Sequence, residues 1–316
     1  MPTLIRRIKL FYSLYNLFHP GQLRHNLPQY KRWGLKKFYF SPVSSRDFAG
    51  KEEIADPSPE AFRAAIEALP AFHTLNEASK TSLRAFPENG YAILSSFFSP
   101  TEVELVENEL KTLLDTGKVA YNTAGKVMFA IHHSAALRKL GEKQELLAIL
   151  AEIMGKPARL FQSINFERGS QQPSHSDSIH MTTQPRGLLS AAWVALEDIQ
   201  PGSGELHYYP GSHRLPYYMN AAYGNEGGRW LIGPKPYRAY EEMLAGKIKE
   251  AGLKKETFLA CAGDVLLWHA NLIHGGEPVT NAELTRKSMV FHYFGDGAIC
   301  YHEITQRPAL LGKSAV

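Results

Sequence analysis

From residue 158 onward the chain is cut into short apolar or alternating runs: ARLFQSINF, GLLSAAWVALEDI, GELHYYPG, GDVLLWHANLIHGG and RKSMVFHYF. Glycine, proline and serine separate them. Runs this short, so closely punctuated, leave no room for a layer of long helices. They demand strands joined by turns, as in a β-sandwich or barrel. The preceding residues carry the opposite signal. SPEAFRAAIEAL offers Ser58 as an N-cap, and SPTEVELVENELKTLLD offers Ser99 with Pro100 at the first helical position. KQELLAILAEIMG repeats apolar residues at helical spacing and ends at Gly155. Between the first two, Tyr91–Leu94 reads as a strand that precedes the Ser99 cap. The expected architecture is mainly β with flanking helices: helices in front, a jelly roll behind. A helical insertion at about 215–257 interrupts it, and residues 58–316 form one domain.

Residues 1–57 stand apart as a basic amphipathic helix followed by an irregular arm rich in Pro, Gly and Ser. The chain has 316 residues and a net charge of only +4, yet residues 1–46 hold nine Lys and Arg and no acid before Asp47. The remainder carries 26 basic against 31 acidic residues, so the chain as a whole does not read as nucleic-acid-binding. Leu4, Ile8, Phe11, Tyr15 and Phe18 share one helical side, while Arg6, Lys9, Ser13 and Asn16 share the other. Two fates are open to such a helix. Its apolar face docks on the protein's own body or a second subunit, or it lies on an anionic membrane surface. The segment lacks the continuous apolar core and the cleavage site of a signal peptide. No apolar run reaches the roughly 20 residues of a membrane span, and two cysteines, Cys261 and Cys300, make no disulfide framework. The expected location is cytoplasmic, with peripheral membrane contact through residues 1–46 as the alternative.

The chemistry concentrates in HSDSIHM. His175-Ser176-Asp177 is the one H-x-[DE] triplet in the chain, a pattern that needs a third ligand before it means anything. His180, His207, His213, His269, His274, His292 and His302 are the candidates in the second half. In GDVLLWHANLIHGG an apolar strand is expected to end at His274, where two glycines allow a tight turn. His269 lies five residues earlier, an odd spacing that sends it to the opposite face. Two imidazoles and a carboxylate suit non-haem iron(II) with open coordination positions, and zinc accepts the same set. Arg286 decides between them. It opens the next alternating run with Ser288 on the same face, placed to hold a dicarboxylate bidentately.

H-S-D, WVALEDIQPGSGELHYYPGSH, GDVLLWHANLIHGG and R-x-S together resemble the phytanoyl-CoA dioxygenase family of Fe(II)/2-oxoglutarate oxygenases, over about Tyr91 to Phe294. The resemblance implies a cupin-like double-stranded β-helix with iron held by His175, Asp177 and His274. It implies Arg286 at the distal carboxylate of 2-oxoglutarate, helped by Ser288, with Trp193 and Gln162 beside the co-substrate and Asn165 as a further contact. The implied reaction uses O2, converts 2-oxoglutarate to succinate and hydroxylates an unactivated C–H bond. Asp177 disfavours halogenation, because related halogenating enzymes lack that carboxylate. Two other readings stay open: a cupin-like metalloenzyme that does not use 2-oxoglutarate, and a non-catalytic barrel that binds a membrane or partner. The basic helix and the aromatics of HYYPGSHRLPYYMNAAYG hint at a lipid- or sugar-linked small molecule as substrate. Oligomeric state is not legible.

Overall fold

The computed structural model describes residues 4–310. Its strands are β1 (Tyr91–Leu94), β2 (Lys126–Met128), β3 (Ala158–Phe166), β4 (Thr182–Gln184), β5 (Leu189–Ala195) and β6 (Leu206–Tyr208). They continue as β7 (Glu256–Phe258), β8 (Val265–His269), β9 (His274–Gly276), β10 (Ser288–Gly295), β11 (Ile299–His302) and β12 (Arg307–Pro308). A six-stranded sheet runs β1-β8-β5-β10-β3-β2, every neighbour antiparallel. A smaller sheet, β7-β6-β9, faces it, and β12-β11-β4 forms a third. This is the expected jelly roll.

Strand alternation sorts the large sheet into two faces. Ala191, Trp193 and Ala195 of β5 and Val290 of β10 turn inward to meet Leu206, Tyr208 and Phe258 of the small sheet. Ala192, Val194, Met289, Phe291 and Tyr293 turn outward onto helices. Those helices are Pro59–Ala68, capped by Ser58 through the Ala61 N–H, and Gln144–Met154, closed by left-handed Gly155. Ile66, Leu146, Ile149 and Leu150 are fully buried there. Each such side chain contributes about 1.5–3 kcal/mol of transfer free energy. The helix Pro100–Asp115 begins with a full capping box between Ser99 and Glu102.

The N-terminal region departs from expectation twice. The arm is not irregular throughout: it contains the short helices Pro20–Leu23 and Asn26–Arg32 and a 3-10 turn at Ser45–Phe48. Tyr30, Val43 and Phe48 pack on Ile299 and Tyr301, and the buried Glu303 accepts hydrogen bonds from the Ser45 amide and hydroxyl. The first helix is broken at Ile8, which pairs with Leu231, and resumes as Lys9–Leu17. Its apolar face does not dock on the protein's own body. Asn16 is buried and Ser13 and Lys9 are half-buried, whereas Leu10, Phe11, Leu14, Tyr15, Leu17 and Phe18 are exposed. The polar side bonds inward, Lys9 donating to the carbonyl of Gly228, and turns the apolar side out. The insertion is also less helical than expected, with one long helix at Tyr237–Glu250, 3-10 turns before it and β7 closing it. Among the described residues no helix is long and apolar enough to cross a membrane.

His274 does not end a strand. The strand through VLLWH stops at His269, and His274 opens β9 in the opposite sheet. Nor do the glycines after it serve a left-handed turn. A Cβ on Gly275 would lie 2.7 Å from the Gln172 carbonyl oxygen and 2.7 Å from His207 Nε2, so close backbone approach is what requires glycine. Gly275→Ala should therefore destabilise the fold by about 1–3 kcal/mol, as overpacking does. A thermal melt should show Tm lowered by a few degrees, and an unchanged Tm would mean the gap between these segments is slack.

Candidate metal centre

His175 and His274 meet across a two-residue antiparallel bridge. The His175 amide donates to the His274 carbonyl at 2.8 Å and the His274 amide donates back at 2.9 Å. Asp177, two residues on, opens a 3-10 turn that aims its carboxylate at the same point. One ligand atom from each of His175, Asp177 and His274 lies within 4.8 Å of the others, and all three residues are buried. Among the described residues this is the single such cluster.

The imidazoles are set for ligation by their own loops. His175 Nδ1 lies 2.9 Å from the Pro173 carbonyl and His274 Nδ1 lies 3.1 Å from the Leu272 carbonyl. A carbonyl only accepts, so each Nδ1 carries the proton and each Nε2 keeps its lone pair toward the centre. Burial, reinforced by His274 and His180, pushes the His175 pKa well below its ordinary value, so the ring offers that lone pair at neutral pH. Burial alone would raise the Asp177 carboxyl. Its histidine neighbours His274, His292 and His175 and the Trp268 indole outweigh it and hold Asp177 at about 2. Trp268 Nε1 donates to Asp177 Oδ2 at 2.7 Å, which leaves Oδ1 facing His274 Nε2 at 3.8 Å. The donor set is two neutral nitrogens and one anionic oxygen, and it fits a divalent transition metal.

The same cavity, about 80 Å³, is lined also by Arg286, Trp193, Phe166, Lys126 and His292. Arg286 is only 3% exposed and forms no ion pair among the described residues. One guanidinium nitrogen donates to Ser288 Oγ at 2.8 Å, and Nε has no partner. The rings of Phe166 and Trp193 flank it at 5.1 and 5.7 Å. Burial lowers its pKa to about 10, so it stays a cation at neutral pH. Lys126 donates to the Gln172 side chain at 2.9 Å, and the Gln172 amide reaches His175 Nε2 at 3.1 Å.

Two expected contacts fall elsewhere. Asn165 pairs with Met289 and Val127, which belong to the helix-facing core, so alternation turns it away from the cavity. Its side-chain atoms are buried without partners on that far side. Gln162 pairs with His292 and lines not this cavity but a neighbouring one of about 350 Å³, together with Phe161, Met181 and His302. His180 bonds Tyr237 Oη at 3.0 Å, and His269 turns away to Asp56, opposite in parity to the inward Trp268 of its own strand. Sequence reasoning missed the roles of Trp268, His292 and Lys126. The first two were accessible: Arg286, Ser288, Val290 and His292 alternate on one face, as do Leu266 and Trp268. Lys126 gave no signal, because β2 is three residues long and lies among helices.

A jelly roll with a buried His-Asp-His centre and a buried arginine in one cavity defines a metal-dependent oxygenase scaffold. A match to the phytanoyl-CoA dioxygenase (PhyH) family spans residues 86–288, well over half of the chain. The chain belongs to that family and is by class a non-haem Fe(II)/2-oxoglutarate oxygenase. It is similar to ectoine dioxygenase of Stutzerimonas stutzeri (strain A1501), 25% identical over 306 residues, 86% of this chain and 93% of that one. It is also similar, at 20% identity over 66% of this chain and 88% of the relative, to a phytanoyl-CoA dioxygenase domain-containing protein 1 homolog of Caenorhabditis briggsae. Among solved structures it shares its fold with the non-heme alpha ketoglutarate dependent carbocyclase SnoK from nogalamycin biosynthesis. That likeness has a TM-score of 0.59 at 20% identity and covers 72% of this chain and 87% of that one. EctD from S. alaskensis gives a TM-score of 0.54 at 21% identity, covering 83% and 95%.

Trp268→Phe keeps an aromatic ring but deletes the donor that fixes Asp177. It should weaken metal affinity about 10-fold or more, the usual cost of losing an outer partner of a ligand. Calorimetric titration of the apoprotein with Fe(II) under anaerobic conditions reads this directly, and equal affinities would remove Trp268 from the site.

Proposed function

We propose that His175, Asp177 and His274 hold iron(II), that Arg286 with Ser288 anchors the distal carboxylate of 2-oxoglutarate, and that the protein hydroxylates an unactivated C–H bond of a small lipid- or sugar-linked molecule. The observation that carries this reading is Arg286. A guanidinium buried without a carboxylate costs several kcal/mol. That cost is offset when a dicarboxylate arrives and pairs with it in the bidentate manner arginine favours. A hydrolytic zinc site has no use for such a cation, and a non-catalytic barrel has no reason to keep three aligned ligands beside it. When bound, the metal and 2-oxoglutarate supply O2-dependent oxidation of a C–H bond, coupled to release of succinate and CO2.

The chain's own residues handle position and exclusion of water. Ser288 fixes the guanidinium rotamer from two residues away. Trp193 and Phe166 wall the cavity with apolar surface, which strengthens the charge pairing inside it. Gln162 and His292 are cross-strand neighbours, Gln162 lining the 350 Å³ cavity and His292 the metal cavity. The larger cavity is mainly apolar, with Phe129, Phe161, Met181 and Tyr301 in its walls, and Arg307 and His302 join Asn16, Gln162 and Thr305 as its polar groups. That chemistry suits an apolar group ending in a polar or anionic one. Holding the target C–H bond, rather than acid–base exchange, then decides the product.

Succinate release tests the anchor without knowledge of the substrate. Arg286→Lys replaces a planar fork by a point charge and should raise the apparent KM for 2-oxoglutarate about 10–100-fold, equivalent to roughly 1.4–2.8 kcal/mol. Turnover at saturating 2-oxoglutarate should fall far less. An unchanged KM would contradict the assignment.

A further inference from the structure

The helix Lys9–Leu17 faces the wrong way for a helix that serves its own core. Leu10, Phe11, Leu14, Tyr15, Leu17 and Phe18 cover one side and all are exposed, Phe18 at 79%. The patch does not end with the helix. The Tyr39 hydroxyl donates to the Leu17 carbonyl and ties in the segment carrying Phe38, itself exposed and stacked on Phe40. At the other end the Lys9 amide donates to the Trp230 carbonyl, which brings in a tryptophan 64% exposed. Two remote parts of the chain thus extend one apolar surface. Contiguous apolar surface of this kind marks an interaction site rather than ordinary exposure.

Its rim is cationic. Arg6, Arg24 and Arg229 are exposed and form no ion pair among the described residues. Arg24 lies over the Tyr39 ring at 5.6 Å and Arg229 over Trp230 at 4.9 Å. The first 46 residues contain no acid. Apolar side chains and tryptophan on one face with arginines around it, the nearby acids Asp47 and Glu226 being set among Lys9, Lys37, Arg46 and Arg229, make the chemistry of a segment lying in the headgroup layer of an anionic bilayer. A second copy of the chain would bring the same positive rim against itself.

We propose that this surface seats the protein on an anionic lipid bilayer. The proposal stands independently of the metal assignment, but the two meet in space. Tyr15 and Asn16 of the same helix help wall the 350 Å³ cavity, whose Gln162 is the cross-strand partner of His292 in the metal cavity. A protein seated by this helix holds that cavity at the lipid surface, where an amphiphile enters it without crossing water.

The test is flotation of the full-length protein with vesicles of neutral phosphatidylcholine and with vesicles containing 30% phosphatidylglycerol. The wild type should float with the anionic vesicles at least 10-fold more than with the neutral ones, and salt should reduce that binding. Phe11→Ser/Leu14→Ser/Phe18→Ser, exposed positions outside the cavity walls, should lose binding about 10-fold or more while uncoupled succinate release in solution is kept. Arg6→Glu/Arg24→Glu should abolish the preference for anionic vesicles. Equal binding of wild type and triple variant, or no binding of either, overturns the proposal. So does a wild-type dimer in solution that the triple variant converts to monomer, which would give the surface to a second copy. Loss of succinate release by the wild type would strike the metal assignment and leave the flotation result untouched.

Discussion

The pair of backbone hydrogen bonds between His175 and His274 is the constraint on which the site depends. It joins the loop after β3 to the first residue of β9, so two segments 99 residues apart in sequence are held within a peptide's width. A bridge of this kind fixes the backbone, but the direction of each ring is set separately, by the Nδ1 bonds to the carbonyls two residues earlier. Bridge and ring bonds together leave no rotational freedom to be lost when a metal arrives. Gly275 is the steric condition for the arrangement, because β9 must run beside Gln172 and His207 with no side chain between them.

A second tension balances the first. The interior between the sheets is apolar wherever it is only structural, as Ile199, Phe258, Leu266 and Leu272 show. Where it is functional it holds a cluster of polar groups whose bonding is incomplete: Arg286 Nε, Trp193 Nε1 and His292 Nδ1 all lack partners. Buried donors in that state cost free energy unless something completes them. Three of them on one small cavity that also holds the His-Asp-His centre mark a binding site rather than an imperfect core. The surrounding helices meet that cost, since their Leu, Ile and Phe residues cover the whole outer face of the large sheet.

Much of this was legible in the residues. Short punctuated runs announced the sheets, and the caps at Ser58 and Ser99 placed two helices. His274 rather than His269 joins the cluster, as expected, but not for the reason of spacing, since the two lie on strands of different sheets. Alternation from Arg286 onward put the arginine and Ser288 on one face. What failed had local causes. His274 was placed at a strand end because VLLWHANLIHGG reads as one apolar run, and a sequence does not show where a chain leaves one sheet for another. Asn165 was read as a contact through resemblance, although its parity relative to Phe166 already turned it away. The helix at residues 9–17 was read correctly as amphipathic, yet which face turns inward is decided by long-range partners such as Gly228 and Leu231.

The central claim is that the buried arginine and the His-Asp-His centre form one site for iron(II) and 2-oxoglutarate. Anaerobic titration of the apoprotein with both, followed by visible absorbance, tests it most directly. The account predicts a charge-transfer band that requires iron and 2-oxoglutarate together, is absent from His274→Ala, and needs a higher 2-oxoglutarate concentration in Arg286→Ala. Folded, iron-loaded wild-type protein that shows no band at saturating 2-oxoglutarate would contradict it.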